Sequence, residues 1–133
     1  MNQIPPLDLA QQYRLIGGEI ETAVRAVLAS GQYIGGPCVR EFEQQFARYI
    51  DVQDCVACNS GTDALYLALR SLDIGVGDEV ITTPFTFFAT AETISLVGAT
   101  PVFVNIEPTS FNLDHQQVAA AIGTNKKAIV TDQ

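Results

Sequence analysis

Strand-like and helix-like segments alternate through the second half of this chain, and that alternation limits the folds open to it. Short apolar runs at 54–58, 79–82, 101–106 and 127–130 are separated by stretches of helical composition. This rhythm is typical of an α/β fold with a parallel sheet and right-handed crossovers. We therefore predict an α/β fold, with the run 54–58 as a buried strand and the run 101–106 buried on both faces.

Helical patterns lie both before and within this alternation. Before it, the sequence predicts an extended lead-in from Pro5 to Leu9, a helix from Gly18 to Ser30 and an amphipathic helix from Val39 to Ile50. Within it, helices are predicted at about 61–72, 91–97 and 116–122, the last of them capped by Asp114.

The turn Ser60-Gly61-Thr62 joins the first apolar run to a helical segment. The first N–H groups of a helix have no partner within it, and they lie at the positive end of the helix dipole. Gly61 allows close approach to the backbone, and the hydroxyls of Ser60 and Thr62 add hydrogen bonds, so a phosphate is a natural ligand. The alternative is an ordinary N-cap formed by Ser60 or Thr62, which this stretch alone slightly favours.

Two further segments carry aromatic residues that are candidates for contact with a ligand. The segment Phe85–Phe88 follows the next strand along the chain. Because ligands bind at the carboxyl ends of parallel strands, we expect this segment to meet the Ser60 turn at one rim, as an aromatic platform beside a phosphate cradle. The loop 32–37 places Tyr33 and Ile34 between glycines, and it is either a tight connection or a flap over a ligand.

Composition and charge exclude several classes of protein. Of the 133 residues, 47% are apolar and 17% are charged, which suits a folded core. The net charge is -8, and no basic cluster exists beyond Lys126-Lys127, which argues against a nucleic-acid partner. No apolar run approaches the length of a membrane span, and the N-terminus does not resemble a signal peptide. We therefore expect a cytoplasmic protein with reduced thiols and no membrane partner.

Two cysteine and lysine patterns have a plain structural interpretation. Cys55-x-x-Cys58 has the spacing of half a metal site, but no second pair completes it, so we predict buried structural thiols and no metal. Lys126 and Lys127 are the only lysines, and they lie in a polar helix-to-strand connection where we expect solvated side chains rather than a nucleophile.

Six segments occur in the order and spacing of a known family. They are Tyr33–Pro37, Phe42-Glu43, Asn59–Leu65, Gly77–Ile81, Phe85–Ala91 and Gly98–Val104. On these segments the chain resembles the N-terminal part of the DegT/DnrJ/StrS aminotransferases, which use pyridoxal phosphate (PLP) to aminate nucleotide-linked keto-sugars. The resemblance runs from about Leu7 to Val130. It implies an incomplete α/β large domain of the PLP-dependent transferase fold type I, with residues 1–133 as one partial domain.

The resemblance also implies roles for individual residues. Gly61 and Thr62, with Ser60, match positions that hold the cofactor phosphate, and Phe87 matches the aromatic that stacks on the pyridine ring. Packing roles are implied for the neighbouring Phe85 and Phe88, although a shift in register would move the stacking role to Phe88. The loop residues Tyr33, Ile34 and Gly35 match a segment near the active site, and the resemblance implies that they contact the sugar nucleotide.

Further expectations concern what completes the reaction. In the family, the Schiff-base lysine and the carboxylate facing the pyridine nitrogen lie beyond Gln133, so the chain is expected to be inactive alone. The strands that neighbour the run 54–58 in this fold also lie beyond Gln133, so the isolated chain is expected to be marginally stable, aggregation-prone or dependent on a partner. The family implies an amino-acid donor, a nucleotide-sugar substrate and a homodimer. One alternative is a non-catalytic truncated remnant or interaction module. Another, an independent nucleotide-binding domain, is disfavoured because no Gly-x-Gly-x-x-Gly turn or P-loop is present.

Overall fold

The structure is a computed structural model that describes residues 6–131. It contains two compact units, one ending at Ala57 and the other beginning at Cys58. The start of the predicted lead-in, at Pro5, and the last two residues of the sequence lie outside the described residues. Among the described residues, no helix has both the length and the apolar character required to cross a bilayer.

The first unit opens with helix α1, Leu9–Ser30, which begins well before the predicted start at Gly18. The Asp8 carboxylate caps it by accepting a hydrogen bond from a first-turn N–H 2.9 Å away. Gly17 does not break the helix because it packs beneath the ring of Tyr13, where a Cβ atom would lie 3.1 Å from the ring. Gly17 therefore serves side-chain packing. The prediction of an extended segment through Leu9 is wrong, because Leu9 begins the helix.

Helix α2, Pro37–Ile50, follows the glycine-rich loop and includes two residues more at its start than the sequence predicts. Pro37 occupies the first helical turn, where a missing N–H costs nothing. One face carries an aromatic row in which the rings of Phe42 and Phe46 stack with centroids 5.5 Å apart. This row confirms the predicted amphipathic face of α2.

Residues 54–58 form no strand, which corrects the prediction for this run. Val56 is 82% exposed, and the Ala57 N–H donates to a Glu43 carboxylate oxygen 2.8 Å away instead of to a neighbouring strand. The two cysteines are not buried either, since Cys55 is half-buried and Cys58 is exposed. An apolar run becomes a strand only where a neighbouring strand takes its backbone hydrogen bonds, and none does so among the described residues.

The second unit contains a three-stranded parallel sheet of β1 (Glu79–Thr82), β2 (Thr100–Phe103) and β3 (Lys126–Ile129). The spatial order is β2-β1-β3, with Ile81 opposite both Val102 and Ile129. Each parallel connection passes through a helix, as parallel strands require. The predicted α/β architecture with a parallel sheet is therefore confirmed.

Three helices accompany this sheet: α3 (Gly61–Ser71), α4 (Phe88–Leu96) and α5 (His115–Ala121). The core is formed by fully or almost fully buried side chains from β1, α3, α4 and the turns between them. They are Leu69, Ile74, Val80, Ile94, Val97 and Ala99. Burial of branched side chains of this kind stabilises each by about 1.5–3 kcal/mol.

Strand β2 is not buried on both faces, contrary to the prediction for the run 101–106. It ends at Phe103, whose side chain is 51% exposed. β2 lies at the edge of the sheet, since only β1 pairs with it among the described residues. An edge position explains why an almost continuous apolar run is only partly covered.

Lys126 is also not solvated in the way the sequence predicts. It begins β3, and its ammonium group contacts a carboxylate oxygen of Glu79 on the neighbouring β1. Only 17% of the Lys126 side chain is exposed. Lys127, the next residue, is exposed because alternate residues of a strand point to opposite sides.

Candidate functional site

The turn at the start of α3 is an N-cap centred on Ser60. Ser60 has extended backbone angles, φ -157° and ψ 160°, and its Oγ accepts a hydrogen bond from the Asp63 N–H 3.1 Å away. The same hydroxyl donates to a carboxylate oxygen of Asp63, also at 3.1 Å. The sequence did not decide between Ser60 and Thr62 as the N-cap, and in the structure the N-cap is Ser60.

Three donors next to this cap bind no acceptor among the described residues. The N–H groups of Gly61 and Thr62 bind no acceptor among residues 6–131, and neither does the Thr62 hydroxyl. Nothing lies within 4 Å of the position that a Cβ atom would take at Gly61. The turn therefore offers backbone donors and open space at the positive end of a helix dipole.

The topology of the second unit places this turn on the same side as the carboxyl end of β1. A short connection, 72–78, joins the end of α3 to the start of β1, so the helix and the strand run in opposite directions. Helix α3 also packs against α4, which follows β1. The start of α3 and the segment 83–87 thus both lie toward the edge where ligands bind in parallel sheets.

Phe87 presents its ring to solvent at the start of α4. It is the N-cap residue of that helix and is 76% exposed. The preceding segment is anchored to the unit, since the Phe85 N–H donates to the Oγ1 of the buried Thr83 at 3.1 Å. An exposed aromatic face on an anchored segment suits a flat ligand.

The phenylalanines on either side of Phe87 differ from each other. Phe85 packs against Phe111, with ring centroids 6.0 Å apart and planes inclined by 25°. Phe88 is 72% exposed. Within residues 6–131 it therefore does not have the packing role that was predicted for it. Phe88 instead borders a shallow apolar depression on α4.

In the first unit, the loop that carries Tyr33 and Ile34 surrounds an open depression of about 420 Å³. The Tyr33 hydroxyl donates to the Leu28 carbonyl at 3.3 Å, whereas Ile34 is 96% exposed. Gly35 has a φ of +61°, which favours glycine, and its carbonyl accepts a hydrogen bond from Arg40 Nη1. The loop is therefore held in a defined shape with one apolar side chain projecting into solvent.

Sequence reasoning missed two residues near the candidate site. Asp63 is one, although the Ser-x-x-Asp spacing resembles a capping box and is a usable signal. Phe111 is the other, and no local pattern links it to Phe85. Among the described residues, no group of three or more His, Cys, Asp or Glu side chains is arranged to hold a metal ion.

The candidate residues fit the two parts of PLP, phosphate and ring, that the family resemblance implies for them. Free backbone N–H groups with an adjacent hydroxyl are suitable donors for phosphate oxygens, and these are found at Gly61 and Thr62. An exposed phenyl face at Phe87 is suited to covering an aromatic ring. Ser60 fits less directly, because its only proton is donated to Asp63.

Comparison with known proteins places residues 14–132 within the sequence model of the DegT/DnrJ/EryC1/StrS aminotransferase family. A relative from Pseudomonas aeruginosa, UDP-2-acetamido-2-deoxy-3-oxo-D-glucuronate aminotransferase, is 46% identical over 124 residues. That match covers 93% of this chain and 34% of the relative.

Solved structures show the same likeness. Streptomyces venezuelae DesV, in complex with a ketimine intermediate, is 40% identical with a TM-score of 0.94, and the match covers 98% of this chain and 35% of DesV. NtdA from Bacillus subtilis, with bound cofactor PMP, is 29% identical with a TM-score of 0.91, over 98% of this chain and 30% of NtdA.

The chain therefore spans about a third of the length of the proteins it matches. The match confirms the prediction of an incomplete α/β fold that corresponds to the N-terminal part of PLP-dependent aminotransferases.

Proposed function

The chain belongs to the DegT/DnrJ/EryC1/StrS aminotransferase family, and we propose that it forms the part of a PLP-dependent sugar aminotransferase that holds the cofactor phosphate and covers the cofactor ring. The observation that carries this proposal is the pair of free N–H groups at Gly61 and Thr62 beside an open space. The proposed substrates are a nucleotide-linked keto-sugar and an amino-acid donor. The P. aeruginosa relative is named for an amino transfer on a UDP-linked oxo-sugar, which supports this substrate class.

PLP, when bound, would supply an aldehyde carbon that carries the amino group and a ring that accepts electrons. Gly61 and Thr62 donate backbone N–H groups to the phosphate, and the Thr62 hydroxyl adds a third donor. Phe87 covers one face of the ring and excludes water from it. Ser60 contributes mainly by capping α3 and so fixing the direction of those donors.

The substrate side is assigned to the loop in the first unit. Tyr33, Ile34 and Gly35 are proposed to contact the sugar nucleotide. The depression within the loop and the exposed Ile34 side chain support this role. We further propose that residues 1–133 form one partial domain of a longer fold, and that the complete enzyme is a homodimer.

The Schiff-base lysine is proposed to lie outside this chain. Lys126 and Lys127 are the only lysines in the sequence. Lys126 is paired with Glu79, and Lys127 is exposed on the same strand. The isolated chain is therefore expected to bind the cofactor without catalysing amino transfer.

Cofactor binding to the whole chain tests this proposal. Pyridoxamine phosphate is the probe, because it cannot form a Schiff base with either lysine, and equilibrium dialysis measures its affinity. We expect inorganic phosphate to compete with it and pyridoxamine, which lacks the phosphate, to bind more weakly. Absence of binding, or equal affinity for both amines, would contradict the assigned phosphate site. A preference for ATP or NAD would indicate a nucleotide-binding domain instead.

A further inference from the structure

Phe111 has an unusual backbone for a bulky residue. Its φ is +59°, in the left-handed region of backbone angles that residues other than glycine, asparagine and aspartate rarely adopt. The side chain is largely exposed, so burial does not compensate for this conformation. Strained residues persist only where the surrounding structure holds them, and they concentrate at functional sites.

Hydrogen bonds hold Phe111 in this conformation from both sides. Its N–H donates to the Glu107 carbonyl at 2.9 Å, and the Glu107 N–H donates to the Asn112 carbonyl at 2.8 Å. The Ser110 hydroxyl adds a bond to the Glu107 carboxylate at 3.0 Å. Because this loop follows β2, it lies at the same edge of the sheet as the segment that follows β1.

The ring of Phe111 reaches that neighbouring segment. It stacks on Phe85 with a centroid separation of 6.0 Å, within the range of favourable aromatic pairs. Phe85 lies between the buried Thr83, whose Oγ1 accepts its N–H, and Phe87 at the start of α4. Within the segment 83–87, Phe85 is therefore held through its N–H by the buried Thr83 and through its ring by Phe111.

We propose that Phe111 is a positioning residue that fixes the segment 83–87 through Phe85. It thereby sets the direction in which Phe87 presents its ring. The identification of that ring's ligand rests on the proposed function, whereas the positioning itself does not. The strained backbone at Phe111 is the conformation that brings its ring onto Phe85.

Amide hydrogen exchange of the whole chain without cofactor, resolved by NMR, tests the proposal. The reporter is the Phe85 N–H, which is protected by its bond to Thr83. Phe111→Gly removes the ring and also relaxes the backbone, so a change in exchange cannot be attributed to added strain. We expect exchange at Phe85 to become about threefold to tenfold faster, the range that loss of one aromatic pair allows.

Three further variants make the result decisive. Phe111→Tyr keeps the stack and should restore slow exchange, whereas Phe111→Leu keeps the apolar volume without the stack and should not. Asp73→Gly relaxes another left-handed residue of the same unit, at φ +55°, and should leave Phe85 unchanged. Exchange at Phe85 that stays unchanged in Phe111→Gly and Phe111→Leu would overturn the proposal. So would an equal acceleration at the amides of α5 in these variants, because the effect would then not be confined to the segment 83–87. Because no cofactor is present, these outcomes are independent of whether the chain binds pyridoxamine phosphate.

Discussion

The Ser60 hydroxyl lies 3.1 Å from both the backbone nitrogen and a carboxylate oxygen of Asp63. It accepts a hydrogen bond from the first and donates its only proton to the second. The Ser60 hydroxyl and Asp63 are therefore hydrogen-bonded to each other, whereas the N–H groups of Gly61 and Thr62 remain available to a ligand. This arrangement separates the residue that builds the turn from those that would bind the phosphate.

Replacing Ser60 by alanine tests the capping role. We expect Ser60→Ala to lower the free energy of unfolding by about 1 kcal/mol, because the Asp63 N–H loses its acceptor. Urea denaturation followed by circular dichroism measures this change. Ser95→Ala is the matched control, since that exposed hydroxyl only bonds back to its own helix and its loss should change stability little. Equal effects of the two variants would contradict the cap.

Replacing Thr62 by alanine tests the phosphate site. We expect Thr62→Ala to weaken pyridoxamine phosphate binding about tenfold, the effect of losing one charge-assisted hydrogen bond. The free energy of unfolding should change little, because the hydroxyl binds no described residue. Thr22→Ala, on the exposed surface of α1, serves as the control. An unchanged affinity would remove Thr62 from the site.

Replacing Phe87 distinguishes it from its neighbour. Both Phe87 and Phe88 are largely exposed, so alanine at either position should affect stability similarly. We expect Phe87→Ala to weaken pyridoxamine phosphate binding about threefold to tenfold through loss of ring stacking, and Phe88→Ala to leave it unchanged. Equilibrium dialysis measures both affinities. The reverse outcome would move the stacking role to Phe88.

Asp114 predicts a pH dependence of stability. The Gln117 N–H, which donates to its carboxylate, lowers the pKa of Asp114. A lowered pKa in the folded state means that the stabilisation is complete above the pKa of an unfolded aspartate, about 4. It is lost as the pH falls through the lower folded pKa.

Asp114→Asn tests this dependence, because asparagine also caps a helix but does not titrate there. We expect the wild-type chain to exceed this variant in free energy of unfolding at pH 7 and the difference to shrink below about pH 4. Denaturation at a series of pH values measures the difference. Asp73→Asn is the control at an exposed turn aspartate. A difference that is constant over this range would contradict the assignment.

Local signals predicted several features of the structure well. The helix end at Gly31, the cap at Asp114 and the strand 79–82 all appear where the sequence places them. Each depends on residues within a turn or two of one another, so the sequence contains the whole interaction. The Ser60-Gly61-Thr62 turn belongs to this group, since the cap and the free donors follow from adjacent residues.

Other features depended on partners distant in the chain. The run 54–58 has the composition of a strand but no strand beside it, so Val56 is exposed. The sequence predicts a solvated Lys126, but the parallel pairing of β1 and β3 places its ammonium group against Glu79. In both cases the outcome was decided by which segments lie side by side.

The sequence by itself determined the α/β class, the family and the position of the capped turn Ser60-Gly61-Thr62, because periodicity, caps and short motifs are local properties. Tertiary structure alone decided which strands form, which charged groups pair and how Phe111 reaches Phe85. These depend on contacts between residues far apart in the chain, and the free energy of such contacts is set by burial and hydrogen bonding that only the folded arrangement creates.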